Sequence, residues 1–197
     1  MKNNTNEKEI KLPTTSELEQ ELYREKYKYK YKKLLKSTVY ALLIVVAVSV
    51  LVATLLFPVL KIYGKSMAPT LIEDDIVVCI KKTEYKKGDI IAFYYNNRIL
   101  VKRVIATSTQ WVEIEDNGDV YVNNQMLEEN YLKDKSLGES DITYPYQVPE
   151  DSYFVLGDKR DTAIDSRNTE IGSILKEDVI GKIIIKVWPL KRFGPIN

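Results

Sequence analysis

The chain has 197 residues, with 29 basic and 28 acidic side chains and a formal net charge of +1, so no bulk field draws it to nucleic acid or an acidic ligand. Histidine is absent, which excludes a Ser-His-Asp triad, a Cys-His dyad and any zinc site that needs imidazole. Cys79 is the only cysteine, so neither an internal disulfide nor a Cys-x-x-Cys redox pair can form. A catalytic base, if there is one, must be a carboxylate, a lysine, a tyrosine or a metal-bound water.

The first dozen residues are polar and read as disordered. Ser16 and Glu19 have the spacing of a capping box, which predicts a helix starting there. From Val39 to Leu60 the chain carries no charge and is almost wholly apolar, enough for the roughly 20 residues of a membrane span. A buried core helix is the competing reading, and the unbroken run argues against it. A cleaved signal peptide is disfavoured by the long polar tail ahead of the run and by Phe57-Pro58-Val59-Leu60 after it. Arg24, Lys26, Lys28, Lys30, Lys32, Lys33 and Lys36 precede the span, against Lys61 and Lys65 close behind it. The positive-inside rule then places the N-terminus in the cytoplasm. Tyr27, Tyr29 and Tyr31 alternate with the lysines, as a patch for anionic lipid or as a solvated topology signal. The predicted organisation is a tail over 1–36, a transmembrane helix over 37–60 and an extracytoplasmic domain over 61–197.

That outer domain reads as mainly β. Runs of β-formers cover Ile76–Ile80, Ile90–Tyr95 behind Gly88-Asp89, Ile99–Ile105, Tyr153–Leu156 and Ile180–Trp188. Trp111–Glu115 and Val120–Val122 flank Asn117-Gly118, a hairpin signal. Residues 126–150 are polar and turn-rich and read as a loop or small subdomain. The expected fold is a folded, barrel-like antiparallel β-sheet behind a single N-terminal transmembrane helix. Cys79, inside a predicted strand, reads as a small core hydrophobe.

Three segments could carry chemistry. In Gly64-Lys65-Ser66-Met67-Ala68-Pro69-Thr70-Leu71, a serine sits between a glycine that permits unusual backbone geometry and a proline that restrains the chain. Serines near turns are common, so this segment alone is a weak signal. In Ile99–Ile105, strand alternation puts Lys102 on one face with Leu100 and Val104, and Arg103 on the other with Val101 and Ile105. A lysine among apolar neighbours has a lowered pKa, and its neutral amine can take a serine proton. A snorkelling edge-strand lysine is the alternative. The third segment, Gly157 to Arg167, packs both signs of charge behind an apolar strand, as an exposed loop or a cation site of Asp158, Asp161 and Asp165. Their spacing is not that of an EF-hand loop.

Together these segments resemble the bacterial, serine–lysine type I signal peptidases of the S26 kind, and Gram-positive ones in particular. The resemblance rests on Ser66-Met67-x-Pro69-Thr70-Leu71, Gly88-Asp89-Ile90, Lys102-Arg103-Val104 and Gly157-Asp158-x-Arg160 through Asp165-Ser166-Arg167, in that order behind an anchor. It implies a membrane-anchored serine endopeptidase that removes signal peptides from exported preproteins after an Ala-x-Ala pattern, through an acyl-enzyme. It implies Ser66 as nucleophile and Lys102 as base, with the Ser66 N–H in the oxyanion hole. Gly64 stands where some relatives supply a second hydroxyl. Met67 and Pro69 belong to the nucleophile motif. Asp158 is expected to pair with Arg103 and Asp165 with Arg167. No cofactor or metal is required. The expected partners are signal peptides, the lipid bilayer and the secretion machinery, with no nucleic acid, and the expected location is the cell membrane, single-pass. Ser66 follows Phe57 by nine residues, at most about 30 Å of extended chain, which keeps the nucleophile near the membrane surface.

Two positions depart from the family pattern. Lys159 replaces the usual Asn, and Ala163 replaces a serine whose hydroxyl orients the lysine in relatives. Thr162 is the adjacent hydroxyl that could substitute. Other readings are a specialised or non-catalytic signal-peptidase-like factor for assembling surface structures such as pili, a self-cleaving repressor-type protease, and an anchored β domain that binds a partner. The repressor type is disfavoured by the anchor and by the lack of a helix-turn-helix pattern.

Overall fold

The computed structural model describes residues 13–196. The disorder expected of the first dozen residues falls outside them. The chain divides into two units, Met1–Val52 and Ala53–Asn197.

One long helix, α1 (Thr15–Leu56), dominates the N-terminal part, and at 42 residues it measures about 63 Å. That is about twice the hydrocarbon thickness of a bilayer. Its cap lies two residues earlier than the Ser16–Glu19 spacing suggests. The Thr14 N–H donates to the Glu17 carboxylate at 2.8 Å, and the Glu17 N–H to Thr14 Oγ1 at 3.4 Å. None of its side chains is buried, and it is long and apolar enough to cross a membrane, which fits a single-pass anchor. Because the lysine–tyrosine segment is helical, its alternation does not make one tyrosine face. Tyr27 and Tyr31, four residues apart, fall on one helix face, while Tyr29 falls on another. The helix also ends short of residue 60. Pro58 cannot donate to a continuing helix, and the chain turns at once into a strand.

The β unit is built from β1 (Val59–Lys61), β2 (Ile76–Ile80), β3 (Ile90–Tyr95), β4 (Arg98–Thr107), β5 (Trp111–Ile114), β6 (Val120–Val122), β7 (Gln125–Met126), β8 (Tyr146–Gln147), β9 (Ser152–Leu156), β10 (Ile174–Leu175), β11 (Val179–Trp188) and β12 (Gly194–Pro195). The larger sheet runs β1-β2-β11-β3-β4-β9-β10, with β12 added on β11, and the smaller runs β7-β6-β5-β8. The strand pairs are antiparallel, as expected of a mainly β chain. The order is open, with β1 and β10 at its ends. Gly118, at φ +88, supplies the left-handed residue of the β5–β6 hairpin. The 126–150 segment contributes to β7 and supplies β8, so it belongs to the smaller sheet.

β3 is buried on both faces, which explains its run of apolar residues. Ile90 and Ala92 pack with Met67, Leu71, Val77 and Cys79, whereas Ile91 and Phe93 pack with Val104, Tyr153 and Val155. A third cluster joins Ile105 and Phe154 to Val112, Val120 and Val122 of the smaller sheet. Cys79 is fully buried and its thiol is pushed up to about 11 by desolvation, as befits a core residue.

Candidate active site

Ser66 lies in the loop between β1 and β2. Gly64 takes φ +81, a conformation that other residues adopt only with strain, and so turns the chain toward Ser66. Met67 and Leu71 are buried and anchor the loop in the core. The Leu71 N–H donates to the Met67 carbonyl at 2.9 Å, and the Ala68 N–H to the Lys65 carbonyl at 3.0 Å. Pro69 follows Ala68 through a cis peptide. The Lys159 N–H donates to the Ser66 carbonyl at 3.0 Å, holding the serine backbone from a distant loop. The Ser66 N–H has no hydrogen-bond partner among the described residues.

Lys102 sits where β4 changes neighbours. Arg98 through Arg103 pair with β3, Lys102 standing opposite Ile91, and pairing with β9 begins only at Arg103. Leu100 and Val104 pack into one cluster and Val101 into another, as alternation requires. Lys102 is only 3% exposed. Desolvation drives its pKa down from 10.5 to about 8; Asp165 and Asp158 pull it back up, and Arg167 pushes it further down. Among the described residues its Nζ makes no hydrogen bond or ion pair, so the amine is not held in its charged form by a direct partner.

Gly157 brings the two residues together. A methyl group at this position would lie 2.7 Å from the Ser66 carbonyl oxygen and 3.5 Å from Lys102 Nζ, and would collide with Ala163 Cβ. The Ser66 backbone and the lysine amine therefore converge on a position that has no side chain. Ser66 and Lys102 line a cleft of about 660 Å³, walled by Val59–Lys61 and Ile62 on one side and by Arg98–Val101 on the other. Both walls are strand edges with an unpaired side.

Two buried ion pairs surround this point. Arg103 donates to Asp158 from Nε at 2.9 Å and from Nη2 at 2.8 Å, and Asp158 also accepts the Thr70 hydroxyl. Arg167 donates to Asp165 from Nε at 2.8 Å and from Nη2 at 2.9 Å, and Asp165 accepts the Gly157 N–H at 2.9 Å. Asp158 and Asp165 are thus both committed to guanidinium groups, and Asp161 is exposed. The described residues contain no acidic, histidine or cysteine group arranged to hold a metal.

Thr162 does not take the place of the missing hydroxyl. It is exposed in a cleft that Ser66 and Lys102 also line, and its Oγ1 donates to Asp161 at 3.4 Å rather than to Lys102. Lys159 also faces solvent, its ammonium 4.0 Å from Asp161. Ala163 is buried against Gly157.

Several residues here escaped sequence reasoning. Thr70 joins Asp158 to the Ser66 loop. Asp75, fully buried, accepts the Ile72 N–H at 3.0 Å and pairs with Lys186 at 3.1 Å and Arg192 at 3.0 Å. Lys186 donates onward to the Thr70 carbonyl at 3.1 Å. Glu129 pairs with Arg160, and the Tyr131 ring lies 3.8 Å from the Arg103 guanidinium. Thr70 and Arg160 stand in the quoted motifs but with no role assigned, and the sequence offered nothing that singled out Asp75, Lys186, Glu129 or Tyr131.

Residues 34–188 match the family model described as signal peptidase, peptidase S26. The chain is 34% identical over 155 residues to signal peptidase I P of Bacillus subtilis subsp. natto, spanning 72% of this chain and 83% of that one. It is 36% identical over 164 residues to signal peptidase I of Bacillus caldolyticus, spanning 73% and 88%. A crystal structure of a signal peptidase I from Enterococcus faecalis V583 is 31% identical, covers 50% of this chain and 96% of that one, and superposes with a TM-score of 0.42. The chain belongs to the signal peptidase family of S26 serine peptidases.

Proposed function

We propose that this chain is a single-pass membrane endopeptidase that removes signal peptides from exported preproteins, with its N-terminus cytoplasmic and its β domain extracytoplasmic. The burial of Lys102 beside the Ser66 loop, at the end of a cleft with open strand edges, carries this reading. Such a lysine is deprotonated more readily than a solvated one and serves as the base that a histidine-free serine hydrolase needs.

An extended signal peptide can add to a free strand edge in the cleft through backbone hydrogen bonds. Alternate side chains of an extended peptide point the same way. The residues first and third before the cut then face the same wall of the cleft, whose lining includes the apolar side chains Ile62, Met67 and Val101, and small apolar residues such as alanine suit it. Ser66 Oγ attacks the scissile carbonyl while Lys102 Nζ accepts its proton. The carbonyl oxygen becomes an oxyanion, which the unpartnered Ser66 N–H can stabilise. The tetrahedral adduct collapses to an acyl-enzyme, with the proton passing to the leaving amine. Lys102 then takes a proton from water, which attacks the ester, and returns it to Ser66 Oγ as the ester C–O bond breaks, freeing the acid product and restoring both residues.

Fixing enzyme and substrate in one bilayer raises their effective concentration. Arg24 through Lys36 lie on the cytoplasmic side of the span, next to anionic lipid headgroups, and the domain works where exported chains emerge from the secretion machinery.

The test is cleavage of an Ala-x-Ala preprotein by the detergent-solubilised chain, with Ser66→Ala and Lys102→Ala beside it. Cleavage by the parent alone is expected. If well-folded parent cuts none of a range of preproteins, the reading fails in favour of a non-catalytic role in assembling surface structures.

A further inference from the structure

We propose that Glu129 and Tyr131 are positioning residues for Ser66 and Lys102, acting through Arg160 and Gly157 and through Arg103; the proposal rests on the peptidase reading above. Both belong to the 126–150 segment beside the smaller sheet and lie outside the four motifs that carry the resemblance.

The Glu129 carboxylate is fully covered, as is the Arg160 guanidinium it faces. Both carboxylate oxygens accept from Arg160, one of them from Nη1 at 3.2 Å, and Oε1 also accepts the Tyr131 hydroxyl at 2.7 Å. Arg160 Nε then donates to the Gly157 carbonyl at 3.1 Å. The Gly157 N–H is already held by Asp165. Gly157 is therefore gripped at its nitrogen by one buried ion pair and at its oxygen by another, while its Cα faces the Ser66 carbonyl and Lys102 Nζ. Tyr131 reaches the same point by a second route. Its ring covers the Arg103 guanidinium, and Arg103 holds Asp158, which holds the Thr70 hydroxyl of the Ser66 loop.

A buried ion pair is a poor device for stability, because desolvation offsets most of its attraction. Its use here is geometric. Charged, multiply bonded groups set a backbone position more narrowly than apolar packing does, and small displacements at a reacting centre cost rate.

The experiment compares full-length, detergent-solubilised parent with Tyr131→Leu and with the double variant Glu129→Leu/Arg160→Met. The double variant leaves no orphaned buried charge. Three quantities are read: kcat and KM on an Ala-x-Ala preprotein, the unfolding midpoint, and the titration of Lys102 by NMR of isotope-labelled lysine. The groups whose charges act on Lys102 are Asp158, Asp165 and Arg167, with Arg103 next to it in β4, and all are retained in these variants. The expected result is a fall in kcat of about tenfold in each folded variant, with KM within about twofold. Lys102 should titrate nearer an ordinary lysine as water reaches it. A role confined to stability would lower activity only in step with the folded fraction. Parent-like kcat in folded variants would overturn the proposal. Should the double variant fail to fold, Tyr131→Leu decides by the same readings. If the parent cuts nothing, the peptidase reading falls by itself, and a parent-like Lys102 titration in the variants then overturns the positioning role too.

Discussion

Arg103 closes on Asp158 through two parallel hydrogen bonds, at 2.9 and 2.8 Å, and the same carboxylate accepts the Thr70 hydroxyl. Arg103 follows Lys102 directly in β4, and Thr70 belongs to the loop that carries Ser66. One carboxylate thus ties the strand of the base to the loop of the nucleophile. Bidentate arginine–carboxylate geometry suits this role because the rigid guanidinium fork admits few other arrangements.

Removing that carboxylate should therefore cost both stability and rate. Asp158→Asn takes the charged carboxylate from a buried guanidinium that keeps the Gly88 carbonyl at 3.0 Å as an acceptor, and a loss of about 3–5 kcal/mol in denaturant unfolding is expected. In protein that still folds, cleavage should fall by at least about tenfold. Unfolding at the parent's midpoint would mean that the remaining partners of Arg103, such as the Gly88 carbonyl, suffice to hold it.

The pH profile follows from the burial of Lys102. Its neutral form is the active one, and with a pKa of about 8 it is the minority form at neutral pH. kcat/KM should rise about tenfold per pH unit below that value and level off above it. A flat profile from about pH 6 upward would exclude Lys102 as the base.

The same burial opposes folding. A lysine with its pKa depressed in the folded state destabilises that state while both folded and unfolded chains are protonated, below about pH 8. The unfolded chain binds the extra proton between about 8 and 10.5, so this cost fades as pH rises through that window. Lys102→Met should thus be inactive yet more stable than the parent at neutral pH, by about 3 kcal/mol. The gain should shrink toward pH 10.5 in chemical unfolding measurements. No gain at neutral pH would show that water already reaches the amine.

Gly157→Ala tests the convergence of the two residues. The added methyl would meet the Ser66 carbonyl oxygen at 2.7 Å and Ala163 Cβ at closer range, and neither can swing aside as a flexible side-chain end would. A destabilisation of about 1–3 kcal/mol and a loss of activity of at least about tenfold are expected. Parent-like cleavage would show that the Ser66 loop can shift without harm.

The strands were largely legible, and for a local reason. Ile90–Tyr95 and Ile76–Ile80 are short runs of β-formers between turn residues, and their bounds in the fold match those of the runs. The helix was legible in kind but not in extent. Its apolar stretch is plain, whereas its cap at Thr14 and its end at Leu56 depend on side-chain geometry and on the strand that follows. The 126–150 segment was the least legible. It carries few apolar residues in any period, so its docking could not be anticipated, and Glu129 was one of 28 acidic residues with nothing to single it out for Arg160.

Composition alone dictated a histidine-free chemistry, and the four ordered motifs pointed to Ser66 and Lys102, because those signals reside in residue identity and short spacing. Only the tertiary structure decided that Lys102 is almost wholly buried, that Gly157 brings it to the Ser66 backbone, that the Thr162 hydroxyl bonds Asp161 instead, and that Glu129 and Tyr131 connect to the site. Desolvation and hydrogen-bond geometry are set by groups far apart along the chain, and no local pattern encodes which of them will meet.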